Sequence, residues 1–202
     1  STKKHINDIE KMVDNQVDVL IVAPLGSDSL VPVIEKAYKK GIPVIIVDRK
    51  VNTFNYTAFL GADNVEVGHI AGKYIVSLSK AHANIVEIKA TTDISPSVER
   101  SLGFKQITDQ YPNIKKTSIT ALNLESINND FSKVLDRMPK IDYVFAFNDN
   151  IALQAWEVAK RNGREKKIKF IGIDGLNDTN GGIQAVKDGK LTATILYPTG
   201  GS

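Results

Sequence analysis

No cysteine occurs in the 202 residues, so disulfide bonds and thiol catalysis are both excluded. Histidine is nearly as scarce. Its three copies, His5, His69 and His82, stand alone, and no two share metal-ligand spacing. His69, on a helical face, reads as a surface or packing residue. Apolar runs stay well short of the ~20 residues that a membrane-spanning helix needs. Neither G-x-G-x-x-G nor G-x-x-x-x-G-K-[ST] is present, which argues against a cradle for nucleotide phosphates. Charge of neither sign dominates: 26 Lys+Arg face 23 Asp+Glu, and the lysines are scattered along the chain. A nucleic-acid footprint would gather them on one face. No signal-peptide pattern is found either. The helical pattern is already running at Ser1, so the chain reads as a piece of a longer protein, with any export signal or anchor lying outside it.

What is present is a strict alternation of strand and helix. Hydrophobic content of 42% and charged content of 24% are ordinary for a globular chain. Ile6, Ile9, Met12 and Val13 fall on one helical face. The apolar run from Val17 to Ala23 follows at strand length, and Pro24-Leu25-Gly26 breaks it. Ser27 or Asp28 is placed to cap the next helix, whose face carries Leu30, Val33, Ile34 and Ala37. Gly41 suits the left-handed position that ends a helix, and Ile42 to Val47 is the next strand. Asp63-Asn64-Val65-Glu66 reads as a cap with a returning Glu.

The rhythm continues with strands near 84–89, 117–122, 143–147, 168–173 and 192–196. Helices are expected at 98–110, 127–138, 151–161 and 183–187. Such alternation implies parallel sheets with helices on both faces. Three strands at most precede Asp63 and about five follow it, which favours two lobes over one sheet. We therefore expect an α/β fold of two lobes, the first spanning 1–62 and the second 63–196.

In a parallel α/β sheet, ligands gather at the carboxyl ends of the strands. Those ends read Asp48-Arg49, Thr91-Thr92-Asp93, Asn148-Asp149, Asp174-Gly175 and Tyr197-Pro198. Arg100, in S97-V-E-R-S-L-G-F104, falls in the first turn of the expected 98–110 helix, where the helix dipole disfavours a cation. Each residue has a plainer reading. Asp48 and Arg49 can pair with each other, Arg100 with Glu99 or Asp93, Asn148 can cap a helix, and Asp174-Gly175 can make a turn. Together they form an inventory of acceptors (Asp48, Asp174), an amide (Asn148) and two donor forks (Arg49, Arg100). Polyol hydroxyls, which both donate and accept, require such a set. Asp48 with Asp174 as a glycosidase pair is disfavoured, because adjacent arginines keep both carboxylates ionised. The chain is expected to bind rather than catalyse, without metal or cofactor.

The segments G41-I-P-V-I-I-V-D-R49, G61-A-D-N64 with Gly68, E99-R-S-L-G-F104, V144-F-A-F-N-D149 with Ala152-Leu153, I171-G-I-D-G175 and D188-G-K-L-T-A-T194 occur in order. In this the chain resembles the periplasmic sugar-binding proteins of the ribose/galactose type, over essentially its whole length. The resemblance implies two Rossmann-like lobes joined by a hinge, the first incomplete in this chain and 197–202 beginning the return to it, which close on a neutral monosaccharide held between them. It places Asp48 and Arg49 as first-lobe contacts and Arg100, Asn148 and Asp174 as second-lobe contacts. Tyr197 falls where the family usually has Gln, and Ala23 where many members have Asn. Leu122 and Asn123 fall near a stacking aromatic. The family's first strand and its closing first-lobe segments have no counterpart here, so this piece is expected to bind sugar weakly or not at all by itself.

A periplasmic carrier serving a membrane transporter, or a sensor domain feeding its own kinase module, fits this reading. The ending I195-L-Y-P-T-G-G resembles the sensor domains of hybrid two-component kinases more than the carriers. The alternative is the effector domain of a lactose-repressor-like regulator, which would need a basic helix-turn-helix before Ser1. No direct nucleic-acid contact is expected of these residues, and a homodimer stays open.

Overall fold

The computed structural model describes residues 2–197. Helices and strands alternate throughout: α1 (Thr2–Asp14), β1 (Leu20–Val22), α2 (Val31–Lys39), β2 (Val44–Val47), β3 (Ala58–Leu60), α3 (Asn64–Ser79), β4 (Ala83–Lys89), α4 (Ser95–Thr108), β5 (Ile114–Thr120), α5 (Leu124–Arg137), β6 (Tyr143–Ala146), α6 (Asp149–Arg161), β7 (Lys169–Asp174), α7 (Gly182–Lys187) and β8 (Ala193–Leu196). The α/β class with parallel sheets and flanking helices is as the alternation implied. The chain divides into two compact units. The first comprises 1–62 and 92–98, and the second 63–91 and 99–202. Of the expected terminal return at 197–202, all but Tyr197 lies outside the described residues.

The first unit carries a parallel sheet in the order β1-β2-β3. Alternate residues set its core, because successive strand side chains point to opposite faces. Leu20, Val22, Val44 and Ile46 are buried with Ile9 and Val13 of α1 and with Val33, Ile34 and Ala37 of α2. On the other face Ile21 and Leu60 are exposed. Gly41 ends the α2 region as its sequence position suggested. Its φ is +81°, its N–H donates to Tyr38 O, and the Ile42 N–H donates to Ala37 O, which is a Schellman ending. The expected cap by Ser27 or Asp28 is not made. Leu30 occupies that position without a side-chain cap bond, and the Asp28 carboxylate instead accepts from the Asn52 amide.

The second unit carries five parallel strands in the order β5-β4-β6-β7-β8. Counted within the unit this is 2-1-3-4-5, the doubly wound order whose direction of winding reverses between its first and third strands. Both faces are covered, so two cores form. Val86, Ile88, Val144, Ala146 and Phe170 pack with Ile127 and Phe131 of α5 and with Ala152, Ala155 and Val158 of α6. On the other face Ile85, Tyr143, Phe145, Ile171 and Ile173 pack with Val67, Ala71 and Ile75 of α3 and Phe104 of α4. Every residue of β6 is buried, as befits a central strand covered on both sides.

Asp63 caps α3, its carboxylate accepting from the Val65 and Glu66 N–H groups at 3.0 Å each. Glu66 does not return to the cap as expected. It faces His69 one turn along the helix and Lys73 two turns along. Helix α4 begins at Ser95 rather than Val98, since Pro96 is well suited to a first turn. Arg100 therefore lies in the second turn, and the dipole misfit inferred from sequence disappears.

Candidate functional site

The winding reversal in the second unit lies between β4 and β6, so their carboxyl ends open a crevice that no crossover covers. Ala90 and Thr91 leave β4 there, and Phe147 and Asn148 leave β6. A cavity of about 260 Å³ occupies this edge, lined by Thr91, Leu122, Asn123, Phe147, Asn148 and Asn150 among others.

Arg100 is a buried cation near this edge, at 5% exposure. Its Nε donates to Asn64 Oδ1 at 2.9 Å and its Nη1 to the Phe147 carbonyl at 2.7 Å. The guanidinium also stands 4.4 Å from the Phe147 ring centre and 4.7 Å from that of Tyr197. Two charge-assisted hydrogen bonds and two ring contacts fix a planar fork that a lysine could not reproduce. Asn64, itself buried, further donates its amide to the Tyr197 hydroxyl at 3.4 Å.

Close backbone approach brings Arg100 there. A Cβ on Gly68 of α3 would lie 2.2 Å from the Arg100 carbonyl oxygen, and one on Gly103 of α4 would lie 2.0 Å from that of Val65. Only glycine at both positions lets α3 and α4 touch main chain to main chain.

Asp174 ends β7 with φ +121°, followed by Gly175 at φ +63°. The first value lies in sparsely populated space for a residue with a side chain and costs about 1–3 kcal/mol. Surrounding bonds hold it. The Asp174 carbonyl accepts from the Tyr197 N–H at 3.2 Å, and the Gly175 N–H donates to Asp149 Oδ2 at 2.9 Å and to Thr194 Oγ1 at 3.1 Å. Asp174, Tyr197 and Arg100 are thus linked through one short path.

Asn148 caps α6, its Oδ1 accepting from the Ile151 N–H at 2.9 Å. Asp149, first residue of the helix, is buried. Burial pushes its carboxyl above the usual carboxylate range, an effect tempered by the nearby Thr194 hydroxyl and the Gly175 N–H.

In the first unit Asp48 follows β2 with φ +69°, and its N–H donates to Leu60 O at 2.9 Å. Arg49 Nε lies 3.5 Å from Asp48 Oδ2, both side chains being partly exposed. These two belong to the first unit's own strand edge. The second unit gathers Arg100, Asn148, Asp174 and Tyr197. Sequence reasoning missed three members of that cluster. Asn64 was absorbed into a capping motif, Phe147 into a strand and Asp149 into a strand-end pair. All three lie in the segments G61-A-D-N64 and V144-F-A-F-N-D149 that carry the resemblance, but the fold that brings them together leaves no local trace in them.

Among the described residues no cluster of His, Cys, Asp and Glu is arranged to hold a metal ion, and no helix is long and apolar enough to cross a membrane.

Residues 1–201 match the family model described as a periplasmic binding protein domain. Over 201 residues the chain is 30% identical to the ribose import binding protein of Bacillus subtilis, covering 96% of this chain and 62% of that protein. Among solved structures it is similar to the fructose-binding periplasmic domain of a hybrid two-component system. That match has 40% identity and a TM-score of 0.93, and covers 98% of this chain and 67% of the other. It is similar also to the arabinose transporter's periplasmic binding component from Shewanella sp. ANA-3, with 25% identity and a TM-score of 0.89, covering 98% and 68%. The chain spans less than two thirds of the length of the curated relatives it matches, 62% and 64% of the first two.

Proposed function

The chain belongs to the periplasmic binding protein domain family, and from that premise we propose that it supplies most of a periplasmic receptor for a neutral monosaccharide. The observation that carries this reading is the cluster around Arg100. A buried, fully oriented guanidinium stands with two aromatic rings at the winding reversal, and an aspartate and an asparagine end the strands beside it. Aromatic faces suit the C–H faces of a pyranose or furanose, and the fork and the carboxylate suit its hydroxyls. Asp174, Arg100, Asn148 and Tyr197 are the proposed contacts of the second unit, and Asp48 and Arg49 those of the first. Each unit supplies donors and acceptors in balance, without the surplus of positive charge a sugar phosphate would demand. Periplasmic binding proteins are themselves a standard example of hinge closure, and closure on the sugar is part of the proposal.

The role we favour is sensing, with a kinase module of the same polypeptide as the partner. Identity to the fructose-binding sensor domain is 40%, against 30% for the ribose import protein. The site holds and releases its sugar unchanged; no catalytic step is assigned to it.

Calorimetry on the full-length protein against D-fructose, D-ribose, L-arabinose, D-galactose and D-glucose tests the reading, with fructose 6-phosphate and amino acids as controls. Saturable binding of a free sugar is expected. Binding confined to the phosphate or to amino acids would overturn it.

A further inference from the structure

Asp149 stands just behind the proposed sugar site, and its surroundings are unusually specific. Its Oδ2 accepts from the Gly175 N–H at 2.9 Å. Its Oδ1 is buried and has no hydrogen-bond partner among the described residues. Leaving such an atom unsatisfied is costly, so bulk or hydrogen bonding alone does not account for an aspartate here. The carboxylate is also gripped by absent side chains. A Cβ on Gly172 would lie 2.1 Å from Oδ1, and one on Gly182 would lie 1.9 Å from Oδ2. Two glycines from β7 and α7 therefore form a slot that fits a carboxylate in one place.

The group it holds is the peptide joining Asp174 to Gly175. That peptide has positive φ on both sides, +121° and +63°, and its N–H direction fixes the ψ of Asp174. Turning that peptide changes ψ of Asp174, and with the chain anchored on both sides the change is taken up at the unusual φ of the same residue, which sets how its carboxylate leaves the strand end. We propose that Asp149 is a positioning residue for the sugar site, holding Asp174 in its strained, ligand-facing conformation through the Gly175 N–H. This rests on the reading of Asp174 as a sugar contact.

The test uses the full-length protein and two readouts. In the unliganded state, Asp149→Ala should speed hydrogen exchange of the Gly175 amide by about tenfold or more and shift the Asp174 and Gly175 resonances. Asp149→Asn, which keeps an acceptor, should restore most of the protection. With whichever panel sugar the parent protein binds, Asp149→Ala should weaken affinity about tenfold. In an Asp174→Ala background the same change should cost less than about twofold, because a positioning residue has nothing left to position. Gly182→Ala, which displaces the carboxylate without deleting it, should show the same loss and the same disappearance, and it serves if Asp149→Ala does not fold. Equal losses in both backgrounds, or an unaltered Gly175 amide in Asp149→Ala, would overturn the inference. A parent protein that binds no sugar refutes the sugar reading instead, and the amide measurements then decide the positioning role alone.

Discussion

Substituting Gly103 with alanine tests how the Arg100 cluster is built. The added Cβ would stand 2.0 Å from the Val65 carbonyl oxygen and 3.1 Å from the His69 nitrogen, both main-chain atoms that no rotamer change can move. Relief requires α3 and α4 to part by about 1.5 Å, since ordinary contacts lie near 3.5 Å. Overpacking of this kind costs about 3 kcal/mol. Alanine recovers about 1 kcal/mol of helix propensity over glycine, which leaves a net loss of about 2 kcal/mol. For a protein of this size that corresponds to a fall of about 4–8 °C in Tm. Arg100 lies one turn before Gly103, so parting the helices should draw its Nε away from Asn64 and raise Kd for the sugar about tenfold. Gly72→Ala is the companion. Its Cβ would meet the Ile107 side chain at 2.8 Å, a milder conflict further along the helix. We expect stability within about 1 kcal/mol of the parent and an unchanged Kd. Thermal melts and calorimetry on both variants provide the comparison. A Gly103→Ala protein that is as stable as its parent, or less affected than Gly72→Ala, would refute the close-approach argument.

Arg100→Lys keeps the charge and removes the fork and its ring contacts, so affinity should drop by about 2 kcal/mol; calorimetry showing parent-like binding would mean that charge alone suffices. Asp174→Ala should weaken binding by about 2–4 kcal/mol with little loss of fold, and retained affinity would remove Asp174 from the site. Asn64→Ala leaves the buried guanidinium without one partner, at a cost of about 2 kcal/mol in urea unfolding, and a neutral result would show that Arg100 finds another acceptor. His69 bonds Glu66 and Gln106, and the Glu66 contact holds its pKa above the ordinary 6.5. A raised basic group stabilises below its unfolded pKa and ceases to as pH climbs through the folded one. The pull of His69 holds Glu66 below its ordinary 4.5, so that contribution vanishes as pH falls through the lowered value. The Tm advantage of the parent over His69→Gln should therefore be full between about pH 4.5 and 6.5 and shrink on either side. A flat difference across the range would rule this out.

The sequence by itself determined the order and kind of the elements. Apolar runs of strand length at Ile42–Val47 and Tyr143–Phe147 and the amphipathic spacing of α1 and α3 needed no partner to be legible. Local chemistry also sufficed where a residue acts on its own backbone, as with Gly41 at +81° and the caps by Asp63 and Asn148. Reading polar residues at strand ends proposed Asp48, Arg49, Asn148, Asp174 and Tyr197 as candidates, because a parallel sheet sends all its strand ends to one edge, while Arg100 was proposed from its place in a helix.

Tertiary structure alone decided which of those residues meet, and how. Strand order is a long-range choice. The reversal between β4 and β6, which puts Phe147 and Asn148 at the mouth of a crevice, leaves no local trace in either strand. Asn64 and Arg100 are 36 positions apart and touch because two helices approach at Gly68 and Gly103, and a glycine in a helix pattern reads only as a weak point. The φ of +121° at Asp174 runs against residue preference. Only a fold that fixes the neighbouring peptides can hold an aspartate there, and that hold comes from contacts distant in sequence, such as Asp149 on Gly175.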